Sequence, residues 1–378
     1  MRIAIPAETD PLETRVAASP ETIKKLLGLG AEVVVQSGAG LASGITDADY
    51  SAAGAQIAKD AAATVKDAQI VLQVRRPKAA SLKGAAEGVV LISIMDPYGQ
   101  DAALQALAKA GISSFAMELM PRITRAQSMD VLSSQANLAG YRSVIDGSGE
   151  YGRAMPMMMT AAGTVPAARI FVMGVGVAGL QAIATARRLG AIVTATDVRP
   201  ATKEQVESLG AKFVAVEDDE FKQAETAGGY AKQMSAEYQA KQALLVAGHI
   251  AKQDIVITTA LIPGRPAPRL VSADMVKSMR PGSVLVDLAV ERGGNVEGAQ
   301  AGKVVVVNGV KIVGDSSALK LPATASALYA KNLFAFVETM IDKTEKKLAI
   351  QWDDELVKAT CLTRGGAIVH PNFQPKPE

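Results

Sequence analysis

Polar side chains with directional hydrogen-bonding groups are concentrated between Pro121 and Tyr141. This polar segment carries guanidinium, carboxylate, amide and hydroxyl groups between apolar runs; they belong to Arg122, Arg125, Gln127, Asp130, Ser133, Ser134, Gln135, Asn137 and Tyr141. A buried strand or an amphipathic helix would not place so many short polar groups together. The pattern predicts a polar wall that faces and orients a bound small molecule.

A dinucleotide-binding fingerprint follows the polar segment. The apolar run Arg169–Met173 precedes Gly174-Val-Gly176-Val-Ala-Gly179, and a helix is predicted over Leu180–Leu189 with Gly190 as its stop. In this motif the glycines permit a tight turn, a close approach of pyrophosphate to the backbone and close helix–strand packing, and the helix amides face the phosphates. A lone glycine motif also occurs in ordinary turns. Here the strand, helix and second strand stand in the required order.

An acidic residue ends the second strand of this unit. Ile192–Thr196 is followed by Asp197, near the spacing expected for a carboxylate that accepts ribose hydroxyl hydrogen bonds. A carboxylate there repels a 2′-phosphate, which favours NAD(H) over NADP(H). Arg199 is a counter-signal, given less weight because Asp197 is at the strand end.

Further loops after predicted strands are candidates for the same site. Thr259, Ala260 and Leu261 follow one strand, and Asp287–Val290 follows another, so both loops fall at the carboxyl edge where open α/β sheets bind ligands. Ordinary strand-to-helix turns remain the alternative. The stretch Ala224–Lys232 contains Gly229 and Tyr230 and suits either a mobile lid or a plain surface loop.

Composition narrows the class of protein. The 378 residues suffice for two domains, and 49% are apolar whereas only 4% are aromatic. With a net charge of +2 and no basic stripe, nucleic acid is not an expected partner. One cysteine, Cys361, and two histidines, His249 and His370, make a metal site improbable. No signal peptide or membrane-spanning run is found, so we expect a cytoplasmic protein.

Apolar strands alternate with Ala-rich helices along the chain, which predicts an α/β fold with parallel sheets in two domains. The predicted strands are Arg2–Ile5, Glu32–Gln36, Ile70–Val74, Val89–Ile94 and Ser113–Met117, then Arg169–Met173, Ile192–Thr196, Phe213–Val216, Ile255–Thr259, Val284–Leu288, Val304–Val307 and Lys311–Val313. Predicted helices include Ser19–Leu29, a run over 131–160 with a break at Gly147–Gly149, and Ser326–Lys343. The final pieces, Lys347–Ile350 and Leu356–Leu362, are expected to return to the first domain.

Long stretches of the chain resemble the NAD(H)-binding component of proton-translocating nicotinamide nucleotide transhydrogenase. They include AMELMPRITRAQSMDVLSSQANLAGYRSVID, MPMMMTAAGTVPAARIFVMGVGVAGLQAIATARRLGA and MRPGSVLVDLAVERGGN. More distantly, Glu13–Ala17 is similar to alanine dehydrogenase. The resemblance implies two Rossmann-like domains with the cofactor in the interdomain cleft, assembled as a homodimer. We place the first domain at residues 1–133 plus 326–378 and the NAD(H)-binding domain at 134–325.

The resemblance also assigns site residues. Orientation of the nicotinamide for hydride transfer falls to Arg122, Gln127, Asp130 and Ser133. Cofactor contacts fall to these four and to Ile123, Thr124, Ser128, Met129, Tyr141, Gly174, Val175, Gly176, Val177, Ala178, Gly179, Asp197, Val198, Arg199, Gly229, Tyr230, Gln242, Thr259, Ala260 and Leu261. The loop Gly314–Pro322 departs from the family pattern, which leaves its contacts open.

The sequence leaves three functions open. The first is hydride transfer between NADH here and NADP⁺ on a partner component, with membrane-spanning subunits that place the chain peripherally on the cytoplasmic face of the inner membrane. It needs orientation and no protein acid or base. The second, an alanine-dehydrogenase-like reaction, needs a His or Lys for proton transfer. Arg75 and Met95-Asp96 stand near where those dehydrogenases have a lysine and a histidine. The third is a non-catalytic NAD(H) sensor.

Overall fold

The computed structural model describes residues 1–223, 234–262, 264–314 and 317–374. The chain divides into two compact units, one of Met1–Gln135 with Leu321–Glu378 and the other of Ala136–Lys320. The predicted boundaries after residues 133 and 325 stay predictions.

The N-terminal part alternates strands and helices. Its elements are β1 (Arg2–Ile5), α1 (Pro20–Gly28), β2 (Glu32–Gln36), α2 (Asp47–Ala52), β3 (Gln56–Ala58), α3 (Ala61–Val65), β4 (Ile70–Arg75), β5 (Val90–Ile94), α4 (Asp101–Lys109) and β6 (Ser113–Ala116). Helix α1 begins as predicted, because Pro20 occupies its first turn and the Ser19 side chain accepts the Thr22 N–H.

The middle part contains a second alternating series. Its elements are α5 (Val131–Tyr151), β7 (Met158–Thr160), β8 (Gly163–Val165), β9 (Arg169–Met173), α6 (Val177–Arg188), β10 (Ile192–Thr196), α7 (Thr202–Ser208), β11 (Lys212–Phe213), α8 (Asp219–Lys222), α9 (Ala236–Ile250), β12 (Ile255–Thr258), α10 (Ala273–Ser278), β13 (Val284–Asp287), β14 (Val304–Val307) and β15 (Val310–Val313).

The C-terminal part belongs to the first unit. It consists of α11 (Pro322–Glu338), β16 (Ile341–Asp342), β17 (Lys347–Leu348), α12 (Glu355–Thr360), β18 (Cys361–Arg364) and β19 (Ala367–Ile368). Helix α11 starts earlier than the predicted Ser326 because Pro322 opens its first turn. It ends at Glu338, before the predicted Lys343, because β16 begins at Ile341.

Each unit is built on one sheet with a reversal of strand order. The first sheet runs β3-β2-β1-β4-β5-β6 with parallel pairing, and β18 and β19 extend it antiparallel. The second runs β11-β10-β9-β12-β13-β15 in parallel, with β14 antiparallel at its edge. This 3-2-1-4-5 order is the Rossmann arrangement, so the predicted fold class is confirmed.

Helices cover both faces of each sheet, which explains the near-continuous apolar strands. In β1, Ile3 and Ile5 belong to one buried cluster and Ala4 to another. In β12, Ile255 and Ile257 face one cluster and Val256 the other.

The predicted break at Gly147–Gly149 is wrong, because α5 continues to Tyr151. Gly147 is buried, and a Cβ there would lie 3.1 Å from Ile255 Cγ2 and 3.3 Å from Val286 Cγ2. The glycine therefore lets the helix approach the sheet. The predicted helical run also stops short of Thr160, since β7 and β8 form a hairpin.

Thr363 joins the C-terminal strand to the first sheet. Its buried hydroxyl donates to the Ile112 carbonyl at 2.7 Å and lies 2.6 Å from Ser114 Oγ. We expect Thr363→Val to lower the free energy of unfolding by about 1–3 kcal/mol, because buried polar partners lose their bonds. Urea unfolding measures the change. Thr344→Val, at an exposed position, is the control, and an equally small effect of both changes would contradict this role.

Candidate functional site

The glycine-rich loop lies at the carboxyl end of β9, beside the point where the strand order reverses. Gly174 has φ +102°, which favours glycine, and Gly176 is the N-cap of α6. The helix begins at Val177 and not at the predicted Leu180, so Val177, Ala178 and Gly179 form its first turn. Gly176 has no side chain to cap the first-turn amides, which leaves them directed at an anion as in dinucleotide sites.

Close backbone contacts explain the first and third glycines of the fingerprint. A Cβ on Gly179 would lie 1.9 Å from the Gly174 carbonyl oxygen. A Cβ on Gly174 would lie 2.6 Å from Thr259 Oγ1, whose hydroxyl donates to the Gly174 carbonyl at 3.0 Å. The loops after β9 and β12 are therefore packed together at a distance that only glycine permits.

Gly140 is a site-forming residue that the sequence analysis missed. A Cβ there would lie 2.1 Å from the Ala178 carbonyl oxygen, so α5 crosses the first turn of α6 in backbone contact. The signal that could have identified it is a glycine inside a helical pattern without an obvious cap or bend.

Asp197 follows β10 as predicted and accepts hydrogen bonds on both carboxylate oxygens. Oδ2 accepts the Val175 N–H at 2.7 Å, and Oδ1 accepts the Arg199 backbone N–H at 2.9 Å. The Arg199 guanidinium binds both oxygens, with Nε 2.9 Å from Oδ1 and Nη2 3.0 Å from Oδ2. Asp197 thus links the glycine-rich loop to the loop after β10.

Apolar side chains at the same edge of the sheet are left in solvent. Val198 is 53% exposed and Leu261 is 54% exposed, and Val177 and Ile262 are also exposed. The first-turn amides of α6, an acidic strand end and exposed apolar side chains together fit a dinucleotide, because they complement its phosphates, ribose hydroxyls and adenine ring respectively.

Gln242, another predicted contact, lies on α9 and bridges two strand ends. Its Oε1 accepts the Val216 N–H at 2.9 Å, and its Nε2 donates to Thr196 Oγ1 at 3.2 Å. Its amide therefore positions the backbone beside Asp197. The predicted contacts Gly229 and Tyr230 lie outside the described residues.

Asn295 fixes the Thr259–Leu261 loop and was also missed. Its buried side chain pairs with the backbone of Ala260 through Oδ1 at 3.0 Å and Nδ2 at 2.9 Å, and Nδ2 also donates to the Pro268 carbonyl at 2.8 Å. The amide thus makes the hydrogen bonds to the loop backbone that a neighbouring strand would otherwise make. Only the loop geometry reveals this role, because Asn295 in sequence looks like a turn residue.

Buried Asp287 holds the backbone that carries Asn295. Its carboxylate accepts the Ala289 N–H at 2.8 Å and the Val296 N–H at 2.9 Å. Burial raises the pKa of Asp287, and these amide donors partly offset the shift. The predicted loop after β13 is therefore a support for the site.

The polar segment forms the 3₁₀ helix Thr124–Met129 and the start of α5. Asp130 caps α5, since its carboxylate accepts the Ser133 N–H at 2.8 Å and the Ser133 hydroxyl at 2.5 Å. Arg122, Thr124, Gln127 and Ser128 are exposed. Within the described residues, the Arg122 and Gln127 side chains have no hydrogen-bonding partner.

Several side chains of the polar segment form hydrogen bonds or ion pairs within the first unit. Arg125 forms a paired contact with Asp354 at 2.7 and 2.9 Å, and Ser134 donates to Asn332 at 2.7 Å. Asn332 in turn donates to the Ser128 carbonyl at 2.7 Å. Met129 is buried in the core and Ile123 packs against it, so the exposed groups are held on a fixed base.

Tyr141 lies on α5 in the second unit and is exposed.

A separate charged cluster lies where β1 and β4 of the first sheet adjoin. Glu13 binds Arg15 at 2.7 Å and Arg75 at 2.7 Å. Burial opposes ionisation of Glu13, but the Arg15 hydrogen bonds and charge outweigh it and hold its pKa below the ordinary value. Glu8 accepts the Val74 and Arg75 N–H groups, and burial raises its pKa to about 7.

Both histidines are bonded into the fold. His249 Nε2 lies 2.8 Å from Thr194 Oγ1, and His370 Nε2 lies 3.2 Å from the Ala359 carbonyl. Burial lowers the pKa of both imidazoles. Over the part of the chain that the structure describes, no cluster of His, Cys, Asp or Glu could hold a metal ion, and no helix is long and apolar enough to cross a bilayer.

The Asn295 amide gives a direct test of how the site loop is held. We expect Asn295→Ala to cost about 1–3 kcal/mol in the free energy of unfolding for each buried backbone group left unpaired. Urea unfolding measures this change. Asn372→Ala, at an exposed position, is the control and should change stability by less than about 0.5 kcal/mol. Equal stability of the two variants would contradict the assignment.

Comparison with known proteins accounts for nearly the whole chain. The N-terminal domain model of the alanine dehydrogenase/PNT family matches residues 4–139 of this chain, and the family's C-terminal domain model matches residues 143–371. An NAD(P) transhydrogenase subunit alpha protein of Rhodospirillum rubrum is 57% identical over 377 residues, covering 98% of each chain. Alanine dehydrogenase of Mycobacterium tuberculosis is 33% identical over 79% of this chain and 75% of that protein.

A solved structure agrees with these matches. The transhydrogenase of Sinorhizobium meliloti superimposes with a TM-score of 0.89 at 64% identity, covering 98% of this chain and 100% of that one. The fold, the glycine-rich loop and these matches agree: the chain belongs to the alanine dehydrogenase/PNT family and resembles the transhydrogenase alpha subunits within it.

Proposed function

We propose that this chain is the NAD(H)-binding component of a transhydrogenase, which passes a hydride between NADH bound here and NADP⁺ bound on a separate component. The observation that carries the proposal is the dinucleotide-type edge of the second sheet, in a chain similar over nearly its full length to transhydrogenase alpha subunits. The activity is complete only with the partner subunits.

The second unit binds the ADP half of the dinucleotide. The first-turn amides of α6 meet the pyrophosphate, and Gly174 and Gly176 permit its close approach. Asp197 receives the ribose hydroxyls, and Val198, Leu261 and the other exposed apolar side chains cover the adenosine. The carboxylate favours NAD(H), as the sequence predicts.

The polar segment binds the nicotinamide end. Asp130 and Ser133 hold the carboxamide, because their mutual hydrogen bonds fix both groups at the start of α5. Gln127 and Arg122 are exposed in the same segment. Gln127 reaches toward a second nucleotide, and Arg122 orders the loop or meets ribose and phosphate oxygens. The rigid base provided by Arg125, Ser134 and Asn332 keeps these groups oriented, which is the requirement for hydride transfer.

Direct hydride transfer moves no proton at the reacting carbons, so it needs no protein acid or base. The bound dinucleotide supplies the hydride, so the protein has to orient and shield the reacting ring. Both histidines are bonded into the fold, with lowered pKa values.

The alanine-dehydrogenase alternative is less well supported. Arg75, at the place of its lysine, is bound to Glu13, and Met95, near the place of its histidine, is completely buried. Neither Arg75 nor Met95 supplies the lysine or imidazole with which such a dehydrogenase would transfer a proton to a bound amino acid.

The proposed activity requires an assembly with further subunits. The name of the Rhodospirillum rubrum relative is that of a subunit, which supports further components for this chain as well. We place NADP(H) binding and membrane-spanning segments on those components and this chain peripherally on the cytoplasmic face of the inner membrane. A homodimer rests on the family resemblance.

Asp130 and Gln127 test the orienting role. Asp130→Asn keeps a capping residue at the start of α5, and Gln127→Ala changes an exposed side chain. We expect each to alter the Kd for NADH by less than about threefold and to slow hydride transfer to NADP⁺ by at least about tenfold, because a misaligned ring loses reactive geometry. NADH titration and a stopped-flow assay with the NADP(H)-binding component measure the two quantities.

Asp274→Asn, at an exposed carboxylate on α10, is the control and should change neither quantity. Equal losses of affinity and rate in Asp130→Asn would favour a non-catalytic NAD(H) sensor. Steady formation of NADH from alanine and NAD⁺ by the native chain would replace the proposal with the dehydrogenase alternative.

A further inference from the structure

The Asp197 carboxylate is fully occupied by donors from the protein. Oδ1 accepts the backbone N–H and the Nε–H of Arg199, both at 2.9 Å. Oδ2 accepts the Val175 N–H at 2.7 Å and Arg199 Nη2 at 3.0 Å. A carboxylate has about four acceptor positions, so these four donors use its capacity.

A ribose diol needs two of those positions. The Val175 and Arg199 backbone N–H groups belong to the loops after β9 and β10 and cannot leave without moving the fold. The two guanidinium donors belong to a side chain. Arg199 is therefore the group that a ribose must displace from Asp197.

Exposure and charge agree with such an exchange. The Arg199 side chain is 31% exposed, whereas the Asp197 side chain is 8% exposed, so the arginine has the access to solvent that a swing requires. Arg199 Nη2 also donates to the Val175 carbonyl at 3.2 Å. While paired, the guanidinium neutralises the charge with which Asp197 would repel a 2′-phosphate.

We propose that Arg199 is a specificity-determining residue, which leaves Asp197 when a ribose diol binds and weakens the discrimination between NAD(H) and NADP(H). A displaced guanidinium lies beside the ribose and forms a charge-assisted contact with a 2′-phosphate but not with a 2′-hydroxyl. The discrimination between NAD(H) and NADP(H) is thus set by the Asp197–Arg199 pair and not by the Asp197 carboxylate alone. This inference rests on the proposed NAD(H) site.

The test compares the Kd values of NADH and NADPH in the native chain, in Arg199→Gln and in Asp197→Asn, by competition titration. Arg199→Gln should bind NADH as tightly as the native chain or more tightly, because the competitor for Asp197 is gone. The Kd ratio of NADPH to NADH should rise by at least about tenfold, since the carboxylate is no longer neutralised. Asp197→Asn should lower the ratio.

Arg188→Gln removes an equal charge from the exposed end of α6 and should leave the ratio within about twofold of the native value. Weaker NADH binding by Arg199→Gln, or a ratio that matches the Arg188→Gln control, would overturn the inference while the NAD(H) site stands. Failure of the native chain to bind NADH would instead overturn the proposed function and this inference with it.

Discussion

The backbone approaches itself at Gly174 more closely than any side chain allows, and the shape of the surrounding loops depends on this contact. The third glycine of the motif meets the Gly174 carbonyl, and Thr259 from the next strand donates to the same oxygen. Because β9 and β12 are neighbours at the reversal of strand order, their following loops must share one crevice. The contact keeps that crevice narrow and leaves the first-turn amides of α6 available to an anion.

Three side chains hold the loops around the crevice through hydrogen bonds. Asn295 pairs with Ala260, Asp287 holds the backbone around Asn295, and Gln242 bridges the two strand ends beside Asp197. Each places a polar group where a strand neighbour is missing, so that buried backbone groups are satisfied. The same principle operates in the first unit, where Asn332 links the Ser128 carbonyl to the Ser134 hydroxyl.

The sequence predicted most strands of the two sheets, because buried parallel strands read as apolar runs, and the ends of β9 and β10 were predicted to the residue. It missed the short edge strand β3. It failed where a residue has two physical uses. Gly147 reads as a helix break but permits close packing, and Asn295 reads as a turn residue but replaces a strand. Arg125 and Ser134 belong to the predicted polar wall, but their side chains bind Asp354 and Asn332 of the same unit. Sequence spacing does not show that the Arg199 guanidinium binds both oxygens of the Asp197 carboxylate, since this pairing depends on side-chain geometry.

The proposed site orients a nicotinamide ring and does not need to transfer a proton. The exposed groups of the polar segment are held on a rigid base, while both histidines are bonded into the fold and Arg75 is paired with Glu13. A site of this kind suits a hydride that passes directly from one nicotinamide to another.

Single-turnover transfer from NADH deuterated at the reacting position of C4, to NADP⁺ on the partner component, tests this most directly. If the hydride passes directly, the NADPH formed carries all of the label, whereas release of the label to water would contradict direct transfer.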